Sequence, residues 1–151
     1  MIARRPSRIT IGRMTRTLLA PAALCAALLF LSSCAPAEDQ RFHSFAEAKA
    51  DAAKRGVPVL LDFSARWCGP CKTFARTRTS DEHLRQVLDT KVAFLALDAE
   101  SGEGAELARV YPVDGYPTFV VVHADGRYVT HFSGFGGPEE WIHRLDTALA
   151  Q

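Results

Sequence analysis

Apolar positions along this chain fall into two rhythms, short continuous runs and helical stripes, and their alternation predicts a layered α/β domain. Ser44-Phe45-Ala46-Glu47 is a capping box that opens a helix to about Arg55, and Gly56 supplies the stop. The run from Val57 to Phe63 predicts a strand. A helix then extends to about Arg78, and Thr79-Ser80-Asp81-Glu82 reads as a second capping box for a helix ending near Asp89. Val92 to Leu97 is almost continuously apolar, which marks a strand buried on both faces, as in a parallel sheet covered by helices. A short helix at 104–110 leads into Tyr111-Pro112-Val113-Asp114-Gly115-Tyr116-Pro117. Thr118 to His123 and Arg127 to Phe132 flank Ala124-Asp125-Gly126, a hairpin in which glycine provides the positive φ. Pro138-Glu139-Glu140 starts a terminal helix with acids in its first turn. The order α-β-α-α-β-α-β-β-α implies a mixed sheet of four to five strands sandwiched by helices. No internal repeat or low-complexity segment interrupts it.

The first 33 residues follow a different pattern. Arg4, Arg5, Arg8, Arg13 and Arg16 stand there without a single acid, ahead of an apolar run from Leu18 to Leu31. That is the layout of a secretory leader. A retained membrane anchor would need about 20 apolar residues; this run has 14 and contains Pro21. Leu31-Ser32-Ser33-Cys34 resembles the lipobox of bacterial lipoproteins, which implies that Cys34 is acylated and becomes the new N-terminus. Ordinary cleavage near Ala35-Pro36-Ala37 is the competing expectation. Ala35, in place of an aspartate after the cysteine, points to the outer membrane in the enterobacterial sorting pattern, with the inner membrane still open. Met14 opens a compact leader of its own, and Arg4-Arg5 followed by Pro6-Ser7 is a poor twin-arginine match. The expected organisation is a leader at 1–33, a lipidated tether at 34–41 and one domain at 42–151.

Five of the 18 Lys+Arg residues lie in the leader, leaving 13 against 17 acids and a mature net charge of −4. No basic stripe survives, so nucleic-acid binding has no electrostatic support. Of four cysteines, Cys25 is in the leader and Cys34 is the expected acylation site, so only Cys68 and Cys71 remain in the domain. No disulfide framework is available. A pair two residues apart closes too short a loop to stabilise much, so its meaning is chemical.

The pair stands in Trp67-Cys68-Gly69-Pro70-Cys71-Lys72, directly after a strand and at the start of a helix. Unpaired backbone N–H groups and the positive end of the helix dipole favour a thiolate there, which makes Cys68 a nucleophile near neutral pH. Cys71, one turn deeper, is expected to have its pKa raised by burial. Metal binding is the first competitor, because Cys-x-x-Cys is half a zinc site. No second pair exists, and His83, 12 positions after Cys71, is followed by Gln86-Val87-Leu88 where a closing ligand would stand. His43, His123, His131 and His143 read as surface or strand residues. Haem attachment needs a histidine where Lys72 stands. No metal and no cofactor beyond the dithiol itself is expected.

From about Phe42 to Ala150 the chain resembles the thioredoxin family, on Leu61-Asp62-Phe63, Trp67-Cys68-Gly69-Pro70-Cys71-Lys72 and Gly115-Tyr116-Pro117-Thr118 in the family's order and spacing. The resemblance implies the thioredoxin fold. It makes Cys68 the exposed attacking sulfur, Cys71 the buried resolving thiol, and Asp62 a buried carboxylate that exchanges a proton with Cys71 through water. A surface or hydrogen-bonded core acid is the plainer reading of Asp62. Pro117 is implied to be cis, and Tyr116, Pro117, Trp67, Gly69 and Pro70 to contact substrate, with tyrosine at 116 where typical thioredoxins carry isoleucine. Two departures stand out. The family's lysine near the buried carboxylate falls at Phe94, and Arg66 replaces the acid often found before the tryptophan, which predicts fewer cations around Asp62. Val59 to Asp81 also resembles the C-terminal periplasmic domain of the electron carrier DsbD.

The expected function is therefore a membrane-anchored periplasmic thiol:disulfide oxidoreductase that reduces disulfides of exported proteins. A disulfide oxidase or isomerase, or a redox-inactive binding module, are the alternatives; Gly69-Pro70 favours the reducing direction and two intact cysteines disfavour the inactive one. The expected partners are disulfide-bearing exported proteins, a membrane electron donor of the DsbD or CcdA type, and the membrane itself through Cys34. A monomer is the default, since one domain and no heptads are visible.

Overall fold

A computed structural model describes residues 41–151; the leader, Cys34 and the tether up to residue 40 lie outside the described residues. Ser44 caps helix α1 (Phe45–Arg55) by accepting the Glu47 N–H at 3.2 Å. Glu47 reaches back past the cap to the His43 N–H at 2.8 Å. Gly56 ends the helix at φ 67°, a left-handed conformation that glycine adopts without a Cβ penalty. The Val57 N–H still bonds back to Ala52 O at 3.1 Å, so strand β1 (Val59–Ser64) begins two residues later than the apolar run suggests.

Helices α2 (Gly69–Ser80) and α3 (Glu82–Lys91) are separated by Asp81 alone. The expected cap at Thr79 is corrected. Asp81 caps α3 by accepting the Leu84 N–H at 2.8 Å, while Thr79 and Ser80 stay helical and donate to Arg76 O at 2.8 and 3.0 Å. A carboxylate outcompetes a hydroxyl for the orphan N–H groups, and the hydroxyls find partners one turn back.

The sheet order is β2-β1-β3-β4, with β2 (Ala93–Asp98) parallel to β1, and β3 (Thr118–Val122) and β4 (Tyr128–Ser133) following antiparallel. Four strands are present among the described residues. The expectation that β2 is buried on both faces is corrected: it is an edge strand in which Phe94, Ala96 and Asp98 are half-buried. Burial on both faces belongs instead to the interior strands β1 and β3. Helix α4 (Gly102–Leu107) starts and stops earlier than expected, and presses on β2 so closely that a Cβ on Gly104 would lie 2.2 Å from Asp98 O. Helix α5 (Pro138–Leu149) closes the chain.

Alternation along β1 divides the core. Leu61 and Phe63 face α1 with Phe45, Leu95 and Val120. Leu60 faces the other way, into an aromatic layer of Phe74, Phe119 and Trp141. Asp62, two residues on from Leu60, enters this second layer beneath α2. The fold thus delivers a carboxyl group to the underside of the helix that begins at the cysteines.

Candidate active site

Strand β1 ends in a turn closed by the Cys68 N–H bonding Ala65 O at 3.0 Å, and Cys68 becomes the N-cap of α2. Its sulfur accepts the Cys71 N–H at 3.1 Å. The first turn of α2 holds no acid and carries Lys72, so the field at the cap favours a negative sulfur. Pro70 occupies the first turn, where its missing N–H leaves no bond unmade. Cys68 and Cys71 are joined as a disulfide with their Cα atoms 5.3 Å apart.

The expected contrast in exposure is corrected. Cys68 is 3% exposed and Cys71 6%, so in the disulfide form both sulfurs are buried. Ala65 and the half-buried Tyr116 pack around them. Trp67 is the large hydrophobic of the motif left exposed, at 69%, held by a 2.9 Å bond from its indole N–H to Glu100 and by edge contact with Tyr116 at 5.8 Å. Gly69 and Pro70 are exposed beside it. The Tyr116–Pro117 peptide is cis. Pro117 O accepts the Gly134 N–H at 2.8 Å, whereas Tyr116 makes no backbone hydrogen bond among the described residues. Thr118 secures this loop, donating to Gly115 O at 2.7 Å and sharing a 2.7 Å bond with Ser133.

Asp62 is 5% exposed and its Oδ1 has no hydrogen-bond partner among the described residues. Burial pushes its carboxyl up to about 7, and the positive charge of Arg78 opposes that rise. Arg78 is thus a cation acting on Asp62 from a position the expectation did not consider. Phe94 stands where the lysine would, and the Arg78 guanidinium lies over its ring at 5.1 Å. Beside Cys71 opens a cleft of about 310 Å³ lined by Ser64, Arg66, Lys72, Ala75 and Asp98, room enough for several waters. The pH at which Asp62 changes charge is close to neutrality, and a disulfide is at hand at a helix N-terminus.

The model of the family described as Thioredoxin-like matches residues 41–124. The chain belongs to the thioredoxin-like family. It is 34% identical to thioredoxin-1 of Drosophila yakuba over 110 residues, 73% of this chain and 88% of that one. It is 38% identical to the thiol:disulfide interchange protein DsbD of Yersinia enterocolitica over 94 residues, 60% of this chain but only 16% of DsbD's length. The crystal structure of the oxidised DsbD C-terminal domain of Neisseria meningitidis superposes with a TM-score of 0.56 at 25% identity, covering 68% of this chain and 90% of that domain. The fold is the thioredoxin fold, and the family together with the Cys68–Cys71 disulfide supports a thiol-disulfide oxidoreductase.

Three residues of the site have contacts that the motif-by-motif reading does not disclose. Glu100 stands 33 positions from the indole it holds, a pairing no local pattern reveals. Thr118 stands within the Gly115-Tyr116-Pro117-Thr118 motif, but the motif gives no role to its hydroxyl, which spans Gly115 and Ser133. Arg78 did carry a signal: it follows Cys71 by seven positions and Phe74 by four, the spacing of a single helix face. Among the described residues, no three His, Cys, Asp or Glu side chains are grouped to hold a metal, and no helix is long and apolar enough to cross a membrane.

Proposed function

We propose that this protein reduces disulfides of exported proteins in the bacterial periplasm while anchored to a membrane through acylated Cys34. The observation that carries the reading is the combination of a Cys-Gly-Pro-Cys pair at an acid-free helix N-terminus with a buried carboxyl that titrates near neutrality. In the reduced protein, the Cys68 thiolate attacks one sulfur of a substrate disulfide; a Cys68–substrate bond forms, the substrate disulfide breaks, and the departing substrate sulfur takes a proton from solvent. Cys71 then gives its thiol proton to the Asp62 carboxylate through water. Its sulfur bonds to Cys68, the Cys68–substrate bond breaks, and the second substrate sulfur leaves. Two electrons have passed to the substrate, and Cys68–Cys71 is left as the disulfide. An extended substrate lies along Tyr116, whose backbone groups are available for added-strand pairing, against Pro117 and the exposed Trp67, Gly69 and Pro70.

Outside the cytosol a membrane carrier of the DsbD or CcdA type returns the two electrons, and lipidation keeps the domain beside it. The likeness to DsbD's C-terminal domain supports this circuit. The test is capture. A Cys71→Ser variant, unable to resolve, accumulates disulfide-linked partners in the envelope, and those partners are exported proteins with cysteine pairs. Cys34→Ala moves the protein from the membrane fraction to the soluble fraction. Equal capture by Cys68→Ser, or unchanged fractionation of Cys34→Ala, contradicts the corresponding half of the proposal.

A further inference from the structure

Trp67 and Tyr116 come from different loops, one leading into α2 and the other into β3, and their rings meet edge to face with centroids 5.8 Å apart. Each is held by bonds that do not involve the sulfurs. The Trp67 indole donates to Glu100 at 2.9 Å, and the Glu100 N–H donates to Asp98 Oδ1 at 3.0 Å, which ties the indole to the end of β2. Tyr116 stands between two pinned neighbours: Gly115 O accepts from the Thr118 hydroxyl at 2.7 Å, and Pro117 O accepts the Gly134 N–H at 2.8 Å. Tyr116 packs against Ala65, Cys68 and Cys71, and the two cysteines are left 3% and 6% exposed. We propose that the Tyr116 ring, braced by Trp67 and through it by Glu100, covers the Cys68–Cys71 disulfide and makes the oxidised site selective for extended polypeptide thiols over small free ones. The inference rests on the strand-like seat at Tyr116 put forward above.

Disulfide exchange requires an attacking thiolate to touch a disulfide sulfur, so its rate depends on access. A small thiol makes no contact elsewhere on the protein and reacts only when the ring has moved by itself. An extended segment has more to offer. It pairs with the backbone of Tyr116, which makes no backbone hydrogen bond among the described residues, and it favours the arrangement in which the ring has swung aside to admit it. The incoming thiolate then bonds to the Cys68 sulfur, the Cys68–Cys71 bond breaks, and Cys71 leaves with the electron pair and takes a proton from solvent. A second thiolate displaces Cys68 from the mixed disulfide, so two thiols are oxidised to one disulfide while the pair is reduced. Because Glu100 and Thr118 pin the loops, the cover opens by rotation of side chains and the backbone seat stays in place. The cleft of about 310 Å³ beside Cys71 offers small thiols a second approach, to the other sulfur, and a cover at Tyr116 does not close it.

The oxidised protein is mixed with an excess of N-acetylcysteinamide, or of a decapeptide carrying the same thiol at its centre, and is quenched in acid at intervals. Its free thiols are then counted by alkylation and mass. The expected result for Tyr116→Ala is reduction by N-acetylcysteinamide about threefold to tenfold faster than in the native protein, the equivalent of one lost aromatic edge contact. Glu100→Ala, at an exposed position, moves the rate in the same direction by a smaller factor and keeps the test open should Tyr116→Ala perturb folding. Tyr116→Phe, which keeps the ring, restores the slow reaction. At equal thiol concentration the native protein reacts faster with the decapeptide than with N-acetylcysteinamide, and Tyr116→Ala loses that preference. The reduction potential, read by equilibration against thiol buffers, stays where it was, because a cover slows passage in both directions alike. A Tyr116→Ala rate equal to the native one with N-acetylcysteinamide overturns the cover, attack on Cys71 through the cleft being then the route; a decapeptide preference that survives in that case leaves the seat standing alone. A native protein with no preference for the decapeptide overturns the selectivity and the seat beneath it. A rate gain that only follows a shift in the potential also overturns the cover, because the variant has then destabilised the disulfide itself.

Discussion

Replacing Asp62 by Asn removes a carboxyl that the fold holds in the wrong medium for its charge, and the consequence for stability is large and pH-dependent. Burial raises this group from 3.8 to about 7. Between those values the folded chain binds a proton that the unfolded chain has lost, so the stability of the native protein falls as pH rises through that window. Below about 4 both states are protonated and the penalty is absent; above about 7 both are ionised and it is complete. A rise of roughly 3 pH units at 1.36 kcal/mol each amounts to about 4 kcal/mol at pH 8, an upper bound because the interior relaxes around a charge. Asn keeps the size and polarity without the charge. Asp62→Asn is therefore expected to stabilise the disulfide form by about 2–4 kcal/mol at pH 8, and by almost nothing at pH 4. Thermal unfolding followed by circular dichroism at pH 4, 6 and 8 checks this, with an expected rise in Tm of roughly 8–20 °C at pH 8 for a domain of this size. A difference between the two proteins that stays constant from pH 4 to 8, or a variant less stable at pH 8, would refute the reasoning.

Three further outcomes follow from contacts elsewhere. Gly104→Ala drives a methyl group to within 2.2 Å of the Asp98 carbonyl, a backbone atom that cannot swing aside, and is expected to destabilise by about 1–3 kcal/mol in urea titration. Thr118→Val removes the hydroxyl that ties Gly115 to Ser133 beside Pro117; the expected loss is about 1–2 kcal/mol, with a higher KM for protein disulfides than for small ones in a turnover assay. Trp67→Ala, at an exposed position, should change stability by less than about 1 kcal/mol while raising KM for protein substrates severalfold, which separates a contact residue from a core one.

The order of elements was visible in the sequence because each begins or ends on strong local chemistry: Ser44 and Gly56 around α1, Gly126 in the hairpin, Pro138 at the head of α5. Where the reading slipped, two local signals competed. Thr79, Ser80 and Asp81 are all acceptable caps, and only the charge on Asp81 decides among them. The burial of β2 depends on its place at the sheet edge, which is a property of topology and not of the run Val92 to Leu97. The cysteines, Asp62 and Pro117 announced themselves through motif and spacing, whereas Glu100 and Arg78 act across the fold, on partners their own neighbourhoods do not name. The burial of Cys68 reflects packing by Ala65 and Tyr116, and Tyr116 reaches it only through folding.

The direction of electron flow is the centre of the proposed function, and the reduction potential of the Cys68/Cys71 couple tests it most directly. Equilibration against thiol buffers, with the thiols counted by alkylation, gives the value. A potential near about −270 mV agrees with an electron donor that reduces exported proteins and is itself recharged by a membrane carrier. A potential near about −120 mV would make the protein an oxidant that introduces disulfides, and would contradict the reducing role.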